Sequence, residues 1–225
     1  MRTHNIFAVA VLLSGILLWS GCASLTGFQT GKTVGDEKGE IAMSVNFVSA
    51  PDFDPDDDEE ADTGLVINTL GLLELGGRYG VAEKVDVGLR INTALNFLAD
   101  AKVQVVGNQE SFFAMALGAG LGGFGFVSEE GMLLNFQIPL YLSIHPSDKF
   151  AIYAAPRYIG QFGTTFDESS GLLNYFGSNF GFEAGKRVKF GLDIAYYGIW
   201  NEGEEINNAL FQIGFGVKFT LGGKE

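Results

Sequence analysis

Beyond the N-terminal apolar run, the chain contains one histidine, His145. A histidine can act as a general base, as it does in hydrolases that combine it with a serine and a carboxylate. The sequence shows no such Ser–His–carboxylate constellation. His145 also adjoins Pro146–Lys149, which has the composition of a turn. We therefore expect no catalytic residue, no enzymatic activity and no cofactor.

The densest group of candidate metal ligands is an acidic run, Pro51–Thr63, which reads PDFDPDDDEEADT. Carboxylate oxygens are the ligands that Ca²⁺ and Mg²⁺ prefer, so Asp54, Asp56, Asp57 and Asp58 could bind divalent cations weakly. The run lacks the spacing and the glycine of an EF-hand loop, and it therefore predicts no specific metal site. Its two prolines and mutually repelling charges exclude a strand, so we expect an external, solvent-exposed loop.

The N-terminus has the pattern of an export signal. A short positive region precedes the apolar run Ile6–Trp19, which is too short to span a membrane comfortably as a helix. The following Ser20–Cys22 resembles the lipobox of bacterial lipoproteins, although Trp19 occupies the position where leucine is usual. The resemblance implies a signal peptide over residues 1–21 and lipidation of Cys22. Ordinary cleavage after the small-residue pattern Gly21–Ala23 is the alternative.

Residues 22–39 are polar and rich in glycine, without clear periodicity. This composition predicts a flexible, lipid-anchored tether. The remaining chain, residues 40–222, is long enough for one barrel or sandwich, and we interpret it as a single domain.

Within that domain, apolar and polar residues alternate with the period of a β-strand. In the last segment, Phe211–Leu221, one parity is Phe, Ile, Val and Leu, and the other is Gln, Gly, Lys and Thr. The polar parity of the domain carries charges of both signs between glycines, which suits the confined lumen of a narrow barrel. We predict a lumenal polar network of ten residues: Glu74, Arg78, Asp86, Arg90, Asp100, Lys102, Arg157, Glu183, Asp193 and Lys218.

Ten alternating segments predict ten strands, at 40–48, 65–79, 85–95, 97–105, 113–121, 134–144, 150–161, 175–184, 190–196 and 210–221. Short turns at 82–84, 107–110, 146–149 and 186–189 fall on one side, and acidic or longer connections fall on the other. This asymmetry predicts an all-β, antiparallel, up-and-down transmembrane β-barrel with periplasmic N- and C-termini. The reversal near Asn96 is very short, and without it the number of strands would be eight.

In a soluble, lipid-anchored β-sandwich, apolar and polar residues would also alternate along each strand, but the apolar face would be buried in the core. Here the apolar parity is almost wholly Phe, Leu, Ile, Val and Ala, with Tyr and Trp near some strand ends, as a lipid-facing wall requires. The 32 glycines, 20 phenylalanines and 18% charged residues agree with such a wall. We therefore expect the outer membrane of a Gram-negative-type bacterium, with the β-sandwich as the alternative.

The final strand carries a second resemblance. Gln212, Gly214, Val217 and Phe219 resemble the assembly signal of outer-membrane β-barrel proteins, although the chain continues to Glu225 beyond the aromatic residue that commonly ends them. The resemblance implies outer-membrane lipid and the barrel-assembly machinery as partners. It implies nothing about an activity.

The net charge of −13, without clustered basic residues in the sequence, argues against nucleic acid as a partner. A ten-stranded barrel is only slightly wider than the eight-stranded barrels that side chains fill. The sequence therefore favours a structural or surface-interaction protein with a closed or narrow polar lumen. A porin-like channel for small solutes is the alternative function.

Overall fold

The computed structural model describes residues 25, 27–49, 70–128, 131–164, 172–201 and 204–222 of the 225-residue chain. The predicted signal peptide, Cys22 and the acidic run Pro51–Thr63 lie outside these residues. No helix in the described ranges is long and apolar enough to cross a membrane.

Ten strands form one closed antiparallel sheet, in which each strand pairs with its neighbours along the chain and the last pairs with the first. This confirms the predicted ten-stranded barrel, and it excludes the β-sandwich because a closed ladder is a single sheet. The strands are β1 Gly39–Ser49, β2 Leu70–Ala82, β3 Val85–Asn92, β4 Asn96–Val106, β5 Phe113–Ser128, β6 Gly131–Ser147, β7 Phe150–Thr164, β8 Leu173–Gly185, β9 Val188–Asn201 and β10 Glu204–Leu221.

The barrel is closed by β1 and β10, which pair from Gly39 opposite Leu221 to Ser49 opposite Phe211. This register places the apolar Ile41 opposite Phe219 on the outer face. Neither strand is left with a free edge, which would otherwise present unpaired backbone groups to another chain.

The short reversal between β3 and β4 is a true hairpin, and the side chain of Asn92 holds it. The Oδ1 atom of Asn92 accepts hydrogen bonds from the backbone N–H groups of Ala94 and Asn96, at 3.0 and 3.1 Å. Leu95 has a φ of 61°, a left-handed conformation that non-glycine residues seldom adopt. The Asn92 bonds stabilise this turn, and the barrel consequently has ten strands rather than eight.

One predicted loop is wrong in its extent. The structure continues β9 to Asn201 and begins β10 at Glu204, although residues 200–208 read as a loop because of their polar composition. The two extensions pair with each other, so backbone hydrogen bonding outweighs the weak β-propensity of the side chains. A register shift between Ile206 and Ala209 interrupts the alternation there, which is why the sequence conceals this part of the strand.

The two ends of the barrel differ. The end with the connections at 83–84, 107–112, 148–149 and 186–187, together with Gly39 and Leu221, is called the turn end, and the opposite end the loop end. Between them the outer wall exposes large apolar side chains, such as Leu121 at 70% and Phe190 at 65%. The interior buries charged residues, including Asp86 and Asp193 at 0%. The described barrel is therefore polar inside and apolar outside.

Candidate functional site: an occupied lumen

A segment of the chain itself occupies the lumen. Leu25 and Gly27–Lys38, which we call the strap, lie inside the barrel and lead into β1 at the turn end. Where the sequence pattern predicts a flexible tether, the structure has a segment whose residues are buried or half-buried, except for the exposed Asp36 and Glu37. The far end, Leu25, lies beside Ile199, which is two residues from the loop end of β9.

Beyond its contact with β2 at Glu37 and Lys38, the backbone of the strap forms hydrogen bonds with lumenal side chains. The ammonium group of Lys102 donates to the carbonyl oxygens of Thr30 and Lys32, at 3.2 and 2.8 Å. The strap N–H groups in turn donate to four side-chain oxygens: Gly27 to Asp193 Oδ1, Gly31 to Ser143 Oγ, Thr33 to Gln104 Oε1 and Val34 to Asp86 Oδ2, at 2.9 to 3.1 Å. These bonds replace the ladder that a strand would provide, so the strap can be buried without orphaned backbone groups at these positions.

The strap enters the lumen beside β2. The N–H group of Glu37 donates to the carbonyl oxygen of Gly80, and the N–H group of Gly80 donates to that of Lys38, at 3.1 and 2.9 Å. Farther along, the strap passes so close to β5 that a Cβ atom at Gly31 would lie 2.4 Å from the carbonyl oxygen of Ala114. A side chain at Gly31 would therefore force the strap away from the wall.

Phe28 is the main apolar anchor of the strap. Its ring packs on lumenal glycines of β9 and β10, and it is only 7% exposed. A Cβ atom at Gly216 would lie 3.0 Å from the ring, and one at Gly191 or Gly214 would lie 3.2 Å from it. These distances are below ordinary van der Waals contact, so the glycines provide the space that the ring fills.

All ten charged residues predicted for the lumen are buried in its interior, with side chains or whole residues at most 10% exposed. Six of them form one group of ion pairs. Arg78 pairs with both Asp86 and Asp100, Arg90 lies 3.7 Å from Glu74 and 3.8 Å from Asp100, and Lys102 lies 3.5 Å from Asp86. This group lies on β2, β3 and β4.

A second group lies at the turn end. Lys218 Nζ is 2.9 Å from Glu183 and 3.4 Å from Glu40, and Lys189 Nζ is 2.6 Å from Glu183. Glu40 and Lys189 are not among the ten predicted residues. Glu40 could have been found from its place on the polar parity of β1, whereas Lys189 falls in a predicted turn.

The two remaining residues, Arg157 and Asp193, form hydrogen bonds with uncharged side chains. Arg157 Nη1 donates to Gln137 Oε1 at 3.1 Å. Asp193 accepts hydrogen bonds from the Tyr153 hydroxyl at 2.9 Å and the Asn179 amide at 2.8 Å, in addition to the one from Gly27. Asp193 thereby connects three barrel strands to the strap.

Toward the loop end the lumen is filled by an apolar cluster. Leu25 of the strap packs there with six wall residues: Ile159, Tyr175, Ala195, Tyr197, Ile199 and Leu210. The sequence interpretation missed this cluster, although Asp193, Ala195, Tyr197 and Ile199 share one parity. Along these inward-facing positions the charged Asp193 is followed by Ala195, Tyr197 and Ile199. This change is the sequence signal that the lumen becomes apolar toward the loop end.

Little space is left around the strap near the first group of ion pairs. The cavity between Phe28, Glu74, Arg78 and Arg90 has a volume of about 30 Å³. Such a space is sufficient for about one or two water molecules.

His145 lies 2.9 Å from the hydroxyl of Ser143, joining their Nε2 and Oγ atoms. Within the described ranges, no carboxylate is hydrogen-bonded to His145 to complete a triad, and no group of three or more His, Cys, Asp or Glu residues could hold a metal ion. Ser143 is buried, and its hydroxyl oxygen accepts a hydrogen bond from the N–H group of Gly31. The pair thus supports the strap.

The residues of the predicted assembly signal are divided between the two faces. Gln212 points into the lumen and donates to Asn46 Oδ1 at 3.2 Å, and Gly214 lies beside Phe28. Phe219 is 38% exposed on the outer wall, and Val217, on the same parity, is half-buried there.

No protein-family model and no curated protein matches this chain. Among solved structures, the N-terminal β-barrel domain of OprF from Pseudomonas aeruginosa matches with 12% identity and a TM-score of 0.35, covering 83% of this chain and 99% of that one. Neisserial surface protein A matches with 9% identity and a TM-score of 0.38, covering 81% and 95%. The outer membrane protein Ail of Yersinia pestis matches with 11% identity and a TM-score of 0.33, covering 80% and 99%. These similarities are too low to transfer a function or a residue role.

Proposed function

We propose that this chain is an outer-membrane β-barrel protein with a structural or surface-interaction role, and that its own strap closes the lumen. The observation that carries the proposal is that Leu25 and Gly27–Gly35 are buried or half-buried inside the barrel, with hydrogen bonds to at least four lumenal side chains. A barrel built to conduct would keep this volume filled with water.

The outer wall supports the membrane location. Its exposed residues include Leu73, Leu89, Phe176 and Phe180, each at least 55% exposed. Such a wall would be strongly unfavourable in water, because burial of apolar surface stabilises by about 25 cal/mol per Å². Lipid is the environment in which an inward-polar, outward-apolar barrel is stable, and short turns on one side are typical of the periplasmic end. We therefore assign the turn end to the periplasm.

Two measurements test the location. After cell fractionation the protein should be found with the outer membrane, and it should migrate differently on detergent gels before and after heating, because folded barrels resist detergent. Recovery in the soluble fraction, without a heat-dependent shift, would contradict the membrane assignment.

A third measurement tests the closed lumen. The mature protein, reconstituted into planar lipid bilayers, should give no stepwise current, with bilayers that received detergent alone as the control. Reproducible stepwise openings would favour the alternative function, a channel for small solutes, and would contradict closure by the strap.

We further propose that the chain has no catalytic role, that the barrel-assembly machinery recognises β10, and that the acidic run binds divalent cations only weakly. The support for the first is the position of His145, whose neighbour Ser143 is buried beneath the strap. Calorimetry with millimolar Ca²⁺ tests the last, since tight binding would contradict it.

A further inference from the structure

A second cavity lies at the turn end, below the strap, and its volume is about 360 Å³. Its wall combines strap residues with residues of β1, β4, β6, β8, β9, β10 and the turns. Six lysines and three carboxylates line it: Lys32, Lys38, Lys102, Lys186, Lys189 and Lys218, and Glu40, Asp148 and Glu183. Three positive charges are thus in excess, in a chain whose net charge is −13.

The carboxylates of this cavity neutralise only part of its lysines. Glu183 is shared by Lys189 and Lys218, and Glu40 lies near Lys218. Lys102 is directed toward Asp86 and the strap carbonyl groups.

The other three lysines form no ion pair with any described residue: Lys32, Lys38 and Lys186. Lys32 donates to the backbone carbonyl oxygen of Gln109 at 2.8 Å. Burial lowers the pKa of Lys32 below its ordinary value, and the nearby Asp148 offsets this shift only in part. Lys38 is half-buried and Lys186 is exposed, so their ammonium groups can reach a ligand without a change of fold.

We propose that this cavity binds a small phosphate-bearing anion that enters from the turn end. Lysine ammonium groups bind phosphate as point charges, and a concave site of about 360 Å³ is within the size range of small-molecule pockets. Lys32, Lys38 and Lys186 supply the charge that the ligand neutralises, and the buried Lys102 and Lys218 form part of the wall. The proposal stands whether or not the barrel conducts.

The test is isothermal titration calorimetry of the refolded barrel in zwitterionic detergent at low salt, with inorganic pyrophosphate as the probe. Saturable binding is expected. A double variant, Lys38→Gln with Lys186→Gln, should weaken it by about tenfold or more, because each lost contact to a charged group reduces affinity severalfold.

The matched control is a second double variant, Lys84→Gln with Lys149→Gln. It removes the same charge from the same end of the barrel, but neither residue lines the cavity. Its affinity should remain within about twofold of the unmodified protein. Absence of saturable heat at millimolar pyrophosphate would overturn the proposal, and so would an equal loss in both double variants, since it would show non-specific attraction.

The phosphate could come from a soluble molecule or from a lipid headgroup, and the same titration in nanodiscs distinguishes the two sources. If phosphatidic acid, a phosphomonoester lipid, occupies the cavity, its addition to phosphatidylcholine nanodiscs should weaken pyrophosphate binding. Unchanged binding would exclude this lipid headgroup and favour a soluble ligand. Both results support the site, since both require pyrophosphate binding that depends on Lys38 and Lys186.

Discussion

Replacement of Phe28 by alanine should release the strap. Truncation of a buried phenylalanine costs about 3–5 kcal/mol, and Phe28 is only 7% exposed. Most of that cost falls on the docked state, because the ring contacts glycines of the barrel wall. At about 1.4 kcal/mol per factor of ten, the ratio of docked to released strap should fall by roughly 100-fold or more.

A cysteine at Thr30 reports the release. Thr30 is only 7% exposed. Its backbone carbonyl oxygen accepts a hydrogen bond from Lys102, and Thr30→Cys leaves this bond in place because the side chain does not take part. In protein refolded from a chain that begins at Ala23, this cysteine is the only one. A maleimide should label it slowly when Phe28 is present and about 100-fold faster in the Phe28→Ala variant.

Phe215→Ala is the matched control. Phe215 lies next to Gly216 in β10, but it is 52% exposed on the outer wall. Its loss should leave the labelling rate within about twofold. Rapid labelling before any substitution at Phe28, or equal rates with Phe28 and alanine, would refute the docking of the strap.

Three further substitutions test the lumen and the wall. Asp193→Ala should lower the free energy of unfolding in urea by about 3–5 kcal/mol, because three buried donors lose their acceptor. Tyr153→Phe removes only one of these donors and should lower it by about 1 kcal/mol. Equally small effects of the two substitutions would contradict this role of Asp193. Lys218→Gln should lower the free energy of unfolding by about 3–5 kcal/mol, because the buried Glu183 and the half-buried Glu40 both lose a positive partner. The exposed Lys84→Gln should lower it by less than about 0.5 kcal/mol. Phe219→Asp should prevent membrane assembly, seen as loss of the heat-dependent gel shift, while Phe219→Leu should assemble; normal assembly of the aspartate variant would mean that the two faces are inverted.

The strands could be predicted because their environment is periodic. A barrel wall between lipid and a polar interior imposes one alternation on every strand, and the side-chain period of two makes it visible in a single sequence. The prediction failed where another interaction determined the structure. Within the predicted loop at 200–208, Trp200 pairs with Glu205 and Asn201 with Glu204 through their backbones, although the composition there is polar. The predicted β3–β4 hairpin is confirmed, but the alternation does not show the side-chain hydrogen bonds of Asn92 that hold it.

The strap could not be predicted in this way because its partners are distant in sequence. The N–H group of Gly27 donates to Asp193, which is 166 residues away. The conformation of the strap is therefore determined by contacts with the lumen wall rather than by local propensity. One signal was present: Leu25, Phe28 and Val34 are unusual in a solvated tether. For the charged residues, parity indicates that they face inward, but not which of them pair, since Lys218 on β10 reaches past β9 to Glu183 on β8.

The direction of the strap bears on the predicted lipidation of Cys22. Leu25 lies in the apolar cluster near the loop end, and three residues span at most about 11 Å. To place a lipid in the periplasmic leaflet, the chain before Leu25 would have to return through a lumen that Phe28 already occupies. We therefore expect the residues before Leu25 to be accessible from the loop end, at the cell surface.

An epitope inserted after Ala23 tests this expectation, with the same epitope inserted between Asp148 and Lys149 at the turn end as the control. Antibody should bind intact cells that carry the first insertion, and should bind cells with the second only after permeabilisation of the outer membrane. If the first epitope also requires permeabilisation, the N-terminal residues are held on the periplasmic side. That result would contradict the docked strap, because a docked strap and a periplasmic anchor at Cys22 are incompatible in one molecule.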